Sequence, residues 1–224
     1  MGETLTAPHF QTYHKIQSVF KRDPENNYKS FLFGEWADES FGYLKESWWI
    51  GTDKIDGTNT RIQVTEEGWQ VGGRTPRAEL AGDLLTHLEI VGERAHATGF
   101  RGTLFGEGYG PGIQKGGGDY RDDKGFILFD VLAEGNTYWL SQGEMEETGI
   151  AIAVPIVWPV YHGSLFSIIE DFKEGWDFWS LAGKIGDDGL LVKKSEGLVL
   201  RPATELRNQY GGRVITKLKF TDFT

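Results

Sequence analysis

The sequence predicts an α+β fold in which antiparallel sheets carry most of the structure and helices surround them. Two observations lead there: short runs of β-branched and aromatic residues, bounded by glycine-rich turns, recur along the chain, while few stretches place apolar residues at helical spacing. The chain has 224 residues, 39% of them hydrophobic, which is enough for a sizeable core. It contains no internal repeat and no Pro/Ser-rich linker, so one continuous domain over residues 1–224 is expected, with segment 1–47 packed on it.

Taken in order, Trp48-Trp49-Ile50-Gly51-Thr52, Thr60-Arg61-Ile62-Gln63-Val64 and Trp69-Gln70-Val71 read as strands of an antiparallel meander, with Glu66-Glu67-Gly68 supplying turn chemistry. From Arg77 to His96, Leu80, Leu84, Leu85 and Leu88 fall at helical spacing, broken by Gly82 and Gly92, and predict a helix packed on the sheet. Phe126 to Leu132 is a continuous apolar run whose one acid, Asp130, must turn toward a partner or a site. Ser141 and Glu144 have capping-box spacing and open a short helix through Glu147. A strand interrupted by Pro155 and Pro159 follows over Ile152 to Val160, then a helix from Leu165 to Phe172. Strands return at Gly197 to Leu200 and Val214 to Phe220.

Composition narrows the chemistry. Cysteine is absent, which excludes disulfides and thiolate zinc sites and leaves oxygen or imidazole ligands for any metal, with magnesium or manganese the best fit. The histidines at 9, 14, 87, 96 and 162 make no His-x-x-x-His pair, and there is no Gly-x-Ser-x-Gly elbow or Gly-Lys-Ser/Thr phosphate loop. No apolar run suits a bilayer and Met1-Gly2-Glu3-Thr4-Leu5 lacks a signal-peptide pattern, so a cytoplasmic location without membrane partners is the default expectation. A net charge of -10 argues against a protein that coats nucleic acid. A local basic groove of Lys15, Lys21 and Arg22 with Arg207 and Arg213 requires that folding bring them together; otherwise they are solvated surface.

The densest chemistry lies in Thr52-Asp53-Lys54-Ile55-Asp56-Gly57-Thr58-Asn59. A lysine nucleophile must be neutral, which nearby cations and desolvation favour, and Lys217 and Lys219, on one face of a strand by its period of two, can supply fixed positive charge. Taken alone, Lys54 beside Asp53 reads first as a surface ion pair, and Asp56-Gly57 as a tight turn between two strands. Gly57 lets backbone approach a ligand, and Asn59 can bond a ribose hydroxyl or a phosphate. Glu107, between Gly106 and Gly108, can have a ligand against it. Glu196 leads a strand and is placed by alternation with Leu198 and Leu200, as either a metal ligand or a satisfied core acid. Arg74, where a strand breaks, can reach a phosphate, and Gly116-Gly117-Gly118-Asp119 reads as a flexible turn or a lid.

In sequence order, Lys54-Ile55-Asp56-Gly57-Thr58-Asn59, Phe105-Gly106-Glu107, Phe126 with Asp130, Glu196-Gly197-Leu198-Val199-Leu200-Arg201 and Lys217-Leu218-Lys219 resemble the motifs of the covalent nucleotidyltransferase superfamily of ATP-dependent ligases and mRNA capping enzymes. Within it the chain looks most like the RNA ligase 2 type, because Asn59 stands where DNA ligases and capping enzymes usually show an arginine. The resemblance runs from about Trp48 to Phe220. It implies an ATP-grasp-like nucleotidyltransferase fold with antiparallel sheets flanking a nucleotide cleft. It also implies ligation of RNA ends, a 5′-phosphate and a 3′-hydroxyl, on single strands or a nicked duplex, with no obligate protein partner.

By the same resemblance Lys54 becomes lysyl-AMP, and Asp53 and Asn59 belong to the nucleotide site. Glu107 bonds the ribose, Phe126 stacks on adenine, and Lys217 and Lys219 hold phosphates. Arg74 contacts a phosphate or the incoming end, and Glu196, with Asp56 as second candidate, assists magnesium or manganese. The chain ends soon after Phe220, so a minimal ligase without an oligonucleotide-binding barrel is expected, with the N-terminal segment and the surface around Arg74 docking RNA. The alternatives are a ligase acting on nicked DNA, a GTP-using capping-type transferase, and a nucleotide-binding module without turnover.

Overall fold

Alternating apolar and polar residues sort the chain into three sheets. The computed structural model describes residues 11–75, 78–136 and 138–223. In chain order its strands and helices are β1 (Gln17–Ser18), β2 (Phe20–Arg22), β3 (Phe31–Trp36), α1 (Glu39–Tyr43), β4 (Trp49–Asp53), β5 (Thr58–Thr65), β6 (Gly68–Gly73) and α2 (Gly82–Ala97). There follow β7 (Gly102–Tyr109), β8 (Gly125–Ala133), α3 (Gln142–Ala151), β9 (Pro159–Gly163), α4 (Leu165–Lys173), β10 (Gly197–Pro202) and β11 (Thr216–Lys219). The described residues divide into two units, one built from 11–14, 58–108 and 124–156, the other from 15–57, 109–123 and 157–223.

The first unit is a four-stranded sheet in the order β6-β5-β7-β8. In β5 Ile62 and Val64 are buried on one face while Arg61 is buried on the other, and Leu84, Leu88, Val91 and Ala95 of α2 supply a buried stripe at helical spacing. The helix runs through Gly92 rather than breaking there, and the missing side chain makes room for the Trp69 indole: a Cβ would sit 2.4 Å from it. Arg77, the expected helix start, lies outside the described residues. The Ser141–Glu144 capping box is present and opens α3, which extends to Ala151. Over Ile152 to Val160 the expected strand is reduced to one parallel bridge, Leu128 to Ile156, and only Pro159–Gly163 forms a strand. Pro155 has no N–H to give a ladder but its carbonyl accepts from Leu128 N–H at 2.8 Å.

The second unit holds a five-stranded sheet, β1-β11-β10-β4-β9, and the β2-β3 hairpin. Leu165, Ile168, Ile169 and Phe172 follow the i, i+3, i+4, i+7 pattern, so α4 buries one stripe in a core with Trp49, Leu198, Leu200 and Leu218. Each such side chain contributes about 1.5–3 kcal/mol by leaving water. The meander is corrected here. β5 and β6 form the expected hairpin, but β4 is flanked by β10 and β9 and belongs to the other sheet. Both edges of β4 are thereby filled, and Lys54 to Gly57 leaves the strand conformation before β5 begins. No helix among the described residues is long and apolar enough to cross a membrane.

Candidate active site

The end of β4 sets the position of Lys54. Beyond Asp53 the ladder continues for one residue, Lys54 N–H donating to the Gly197 carbonyl at 3.0 Å. On the far side of β10 the register puts Gly197 opposite Lys219 and Val199 opposite Lys217. Lys54 Nζ and Lys219 Nζ both donate to the Glu196 carboxylate, one to each oxygen. The structure therefore brings Lys54, Glu196, Lys217 and Lys219 together on one sheet.

Glu196 does not share the face of Leu198 and Leu200, contrary to simple alternation. It precedes β10, and Gly197 takes φ +148°, a conformation L side chains rarely adopt, with its α-carbon so close to β11 that a Cβ would lie 2.0 Å from the Leu218 carbonyl oxygen. The turn carries Glu196 to the face of Lys219, opposite the buried Leu218. Burial alone would raise its carboxyl pKa, but its bonds with Lys219 and Lys54 hold it below the usual glutamate range.

Lys217 has the reverse electrostatics. Burial lowers its pKa, the charges of Lys219 and Lys54 lower it further, and Glu196 only partly opposes them. A lysine whose folded pKa is depressed gives up stability while charged: the loss is present at neutral pH and is recovered as pH rises from the depressed value to the ordinary one. Lys217→Met is accordingly expected to raise the melting temperature at neutral pH. That advantage should shrink in melts repeated across the alkaline range.

Asp53 lies beneath this group, 5% exposed. Ser195 Oγ donates to Oδ1 at 2.6 Å, and Ser180 Oγ donates to Oδ2. Burial raises its pKa, although both serines, the Leu181 N–H and the Lys54 charge pull the other way. Ser195 Oγ also accepts from Gly197 N–H at 3.1 Å. Sequence reading missed both serines; Ser195, directly before Glu196, was the available signal, whereas Ser180 is joined to Asp53 only by folding. Asp56 is half-buried, and its N–H donates to Tyr120 Oη at 3.0 Å, a hydroxyl whose pKa burial pushes up. The glycine run is a hydrogen-bonded turn: Asp119 N–H reaches the Gly116 carbonyl at 3.1 Å, and Gly117 lies against the Gly110 carbonyl oxygen, 2.1 Å from where a Cβ would be.

The other predicted residues lie in the first unit. Asn59 of β5 faces Glu107 of β7 in register, both half-buried, and Asn59 Oδ1 is buried with no hydrogen-bond partner among the described residues. Phe126 is fully buried with its ring over Gly106, where a Cβ would meet it at 2.2 Å, so it presents no ring face to a ligand. Phe129 is half-buried and shares Tyr13 as a ring neighbour with Phe105, at 5.1 Å in each case, which puts it on the Phe105 and Glu107 face. Asp130 is buried and accepts from Tyr13 Oη at 2.8 Å. Arg74 is exposed in the bend after β6.

A comparison with curated protein sequences finds no match. Among solved structures, an apo variant of the Naegleria gruberi RNA ligase superposes with a TM-score of 0.68 at 18% identity, covering 97% of this chain and 57% of that one. A variant of the same ligase with ATP and Mn gives 0.66 at 18% identity over 95% of this chain, and one with AMP and Mn gives 0.66 over the same share. The chain thus spans under two thirds of that protein's length, and the likeness establishes the mixed α+β fold with its antiparallel sheets. A family model described as RNA ligase matches residues 46–219, from just before β4 to the last residue of β11, and on that match the chain belongs to the RNA ligase family.

Proposed function

We propose that the chain is an ATP-dependent RNA ligase working through lysyl-AMP on Lys54. The observation that carries this reading is the cluster of Lys54, Glu196, Lys219 and Lys217: one lysine at the end of β4, two further cations on β11 across the intervening β10, and a carboxylate at the start of β10 between them. Lys54 Nζ, once neutral, attacks the α-phosphorus of ATP; the N–P bond forms and the P–O bond to pyrophosphate breaks. Its proton passes to water, since a carboxyl held as low as Glu196 is a weak acceptor. An oxygen of the RNA 5′-phosphate next displaces the lysine, forming a phosphoanhydride with AMP. Finally the 3′-hydroxyl attacks that 5′-phosphate, loses its proton and releases AMP. Charge grows on phosphoryl oxygens in each step, and fixed cations stabilise it without reorganising.

Among the described residues no three His, Cys, Asp or Glu side chains cluster to hold a metal ion. The donors fit magnesium or manganese, which keep several waters and share one or two carboxylates with substrate phosphates. Glu196, with Asp56 of the same unit as second candidate, would hold such an ion, which when bound would supply Lewis-acid stabilisation of the phosphoryl oxygens. Asp53, spanned by its serines, is a positioning residue here rather than a nucleotide contact. Asn59 Oδ1 and Glu107 are the candidate acceptors for ribose hydroxyls, Phe129 rather than Phe126 is the ring available for stacking, and Arg74 is free to meet the incoming phosphate end.

The test is incubation of purified protein with α-labelled ATP or GTP and magnesium or manganese, followed by denaturation. Label from ATP retained on the protein, with transfer to a 5′-phosphorylated RNA added later, is the expected result. Label from GTP alone points to a capping-type transferase, transfer to DNA nicks but not RNA to a DNA ligase, and no label to a binding module.

A further inference from the structure

Beside the paired lysines of β11, the second unit holds a groove of about 970 Å³ lined by Lys15, Lys21, Arg22 and Tyr28 and reaching Lys217 and Lys219. Lys21 stays at the surface, 3.4 Å from Glu35 with both well exposed, whereas Arg22 is half-buried over the Phe31 ring and bonds Asp222, whose side chain is 6% exposed, at 2.6 Å. Arg207 and Arg213, expected in the same groove, instead pair with one another across an antiparallel bridge, and Arg213 is held by Glu205 at 2.6 Å.

Tyr28 needs an explanation of its own. It is 63% exposed and has φ +61°, next to Asn27 at +50°, a conformation that is an outlier for a bulky side chain and costs on the order of 1–3 kcal/mol. The loop between β2 and β3 imposes it: Tyr28 N–H donates to the Asp23 carbonyl at 2.8 Å, Asp23 N–H to the Ser30 carbonyl at 3.0 Å, and Asn26 Nδ2 to Ser30 Oγ at 2.9 Å. The ring is not buried in the core and lines the groove.

We infer that this groove docks the 5′-phosphorylated strand of the RNA substrate, one base stacked on Tyr28 and its phosphates running past Lys21 and Lys15 toward Lys217 and Lys219. Aromatic stacking joined to a cationic track is how single strands are held without sequence readout, and it accounts for nucleic-acid binding by a chain whose net charge is -10. The inference rests on the ligase reading for the identity of the strand, but binding can be measured without catalysis.

The experiment is fluorescence anisotropy of a short fluorescent 5′-phosphorylated oligoadenylate RNA, with wild type, Tyr28→Gly, Tyr28→Phe and Lys21→Glu, across a salt series. Gly adopts positive φ without strain, so Tyr28→Gly keeps the loop and removes only the ring. It should weaken binding about tenfold, as expected for one lost stack, while Tyr28→Phe binds as wild type. Lys21→Glu should weaken binding and reduce the salt slope by about one. All variants should retain label from α-labelled ATP as wild type does. Unchanged RNA affinity in both Tyr28→Gly and Lys21→Glu overturns the inference, as does complete displacement of RNA by tripolyphosphate with Tyr28→Gly unaffected, which would make the groove a site for the nucleotide tail. Sensitivity to both variants in a protein that takes no label would uphold the groove and sink the ligase reading.

Discussion

Lys54→Arg is expected to remove self-adenylylation by more than about 10⁴-fold, the scale seen when a covalent nucleophile is deleted. Arginine keeps the positive charge and can still donate to Glu196, so the ion pair that anchors the end of β4 survives. A guanidinium cannot lose its proton at any working pH and offers no lone pair to phosphorus. Fold and nucleophilicity are thereby separated: the melting temperature should stay close to that of wild type while label from ATP disappears. Supplying pre-adenylylated RNA sharpens the test, because sealing of that substrate needs no lysyl-AMP and should persist in the variant. Label surviving Lys54→Arg would place the nucleophile elsewhere.

Gly197→Ala is expected to produce the largest loss of stability from a single methyl group. Two separate costs combine there, a backbone at φ +148° and a Cβ 2.0 Å from the Leu218 carbonyl oxygen, which is backbone in a paired strand and cannot swing away. Together they should cost about 3 kcal/mol or more, or about 6–12 °C in the melting temperature of a chain this size. Activity should fall further than the fraction folded, because β10 and β11 must separate to admit the methyl group. Glu196 and Lys219 sit on the two sides of that separation. A thermal melt alongside adenylylation measured well below the transition distinguishes the two losses; equal retention of both would show that the turn tolerates a side chain.

Much of this was legible in the residues. The order of the lysine, glutamate and paired-lysine motifs pointed to the family, and apolar, aromatic and β-branched runs identified β5, β6, β8 and β10 to within a few residues. What failed did so for want of long-range information. The Lys54–Gly57 segment looks like a hairpin turn locally, and only the pairing of β4 with β10 and β9 shows that the chain leaves one sheet for another there. Alternation misplaced Glu196 because a glycine at positive φ resets the side-chain period. Phe126 and Phe129 are interchangeable in an apolar run; which one stays open depends on the helices packed over one face. Of the cations proposed for a groove, Lys15, Lys21 and Arg22 converge because β1 lies parallel to β11, whereas Arg213 was claimed by a glutamate eight residues away.

The carboxylate of Asp53 bridges Ser180 and Ser195, the residues directly adjacent to it and to Ser195 being Lys54 and Glu196. Lys54, the proposed nucleophile, and its counter-ion Glu196 are therefore mounted on one bracket rather than on two independent supports. A displacement of either strand must pass through the shared Asp53 carboxylate, so the spacing of Lys54 and Glu196 is set by one pair of hydrogen bonds, and a reaction that depends on spacing rather than on absolute placement gains accuracy from such a mounting.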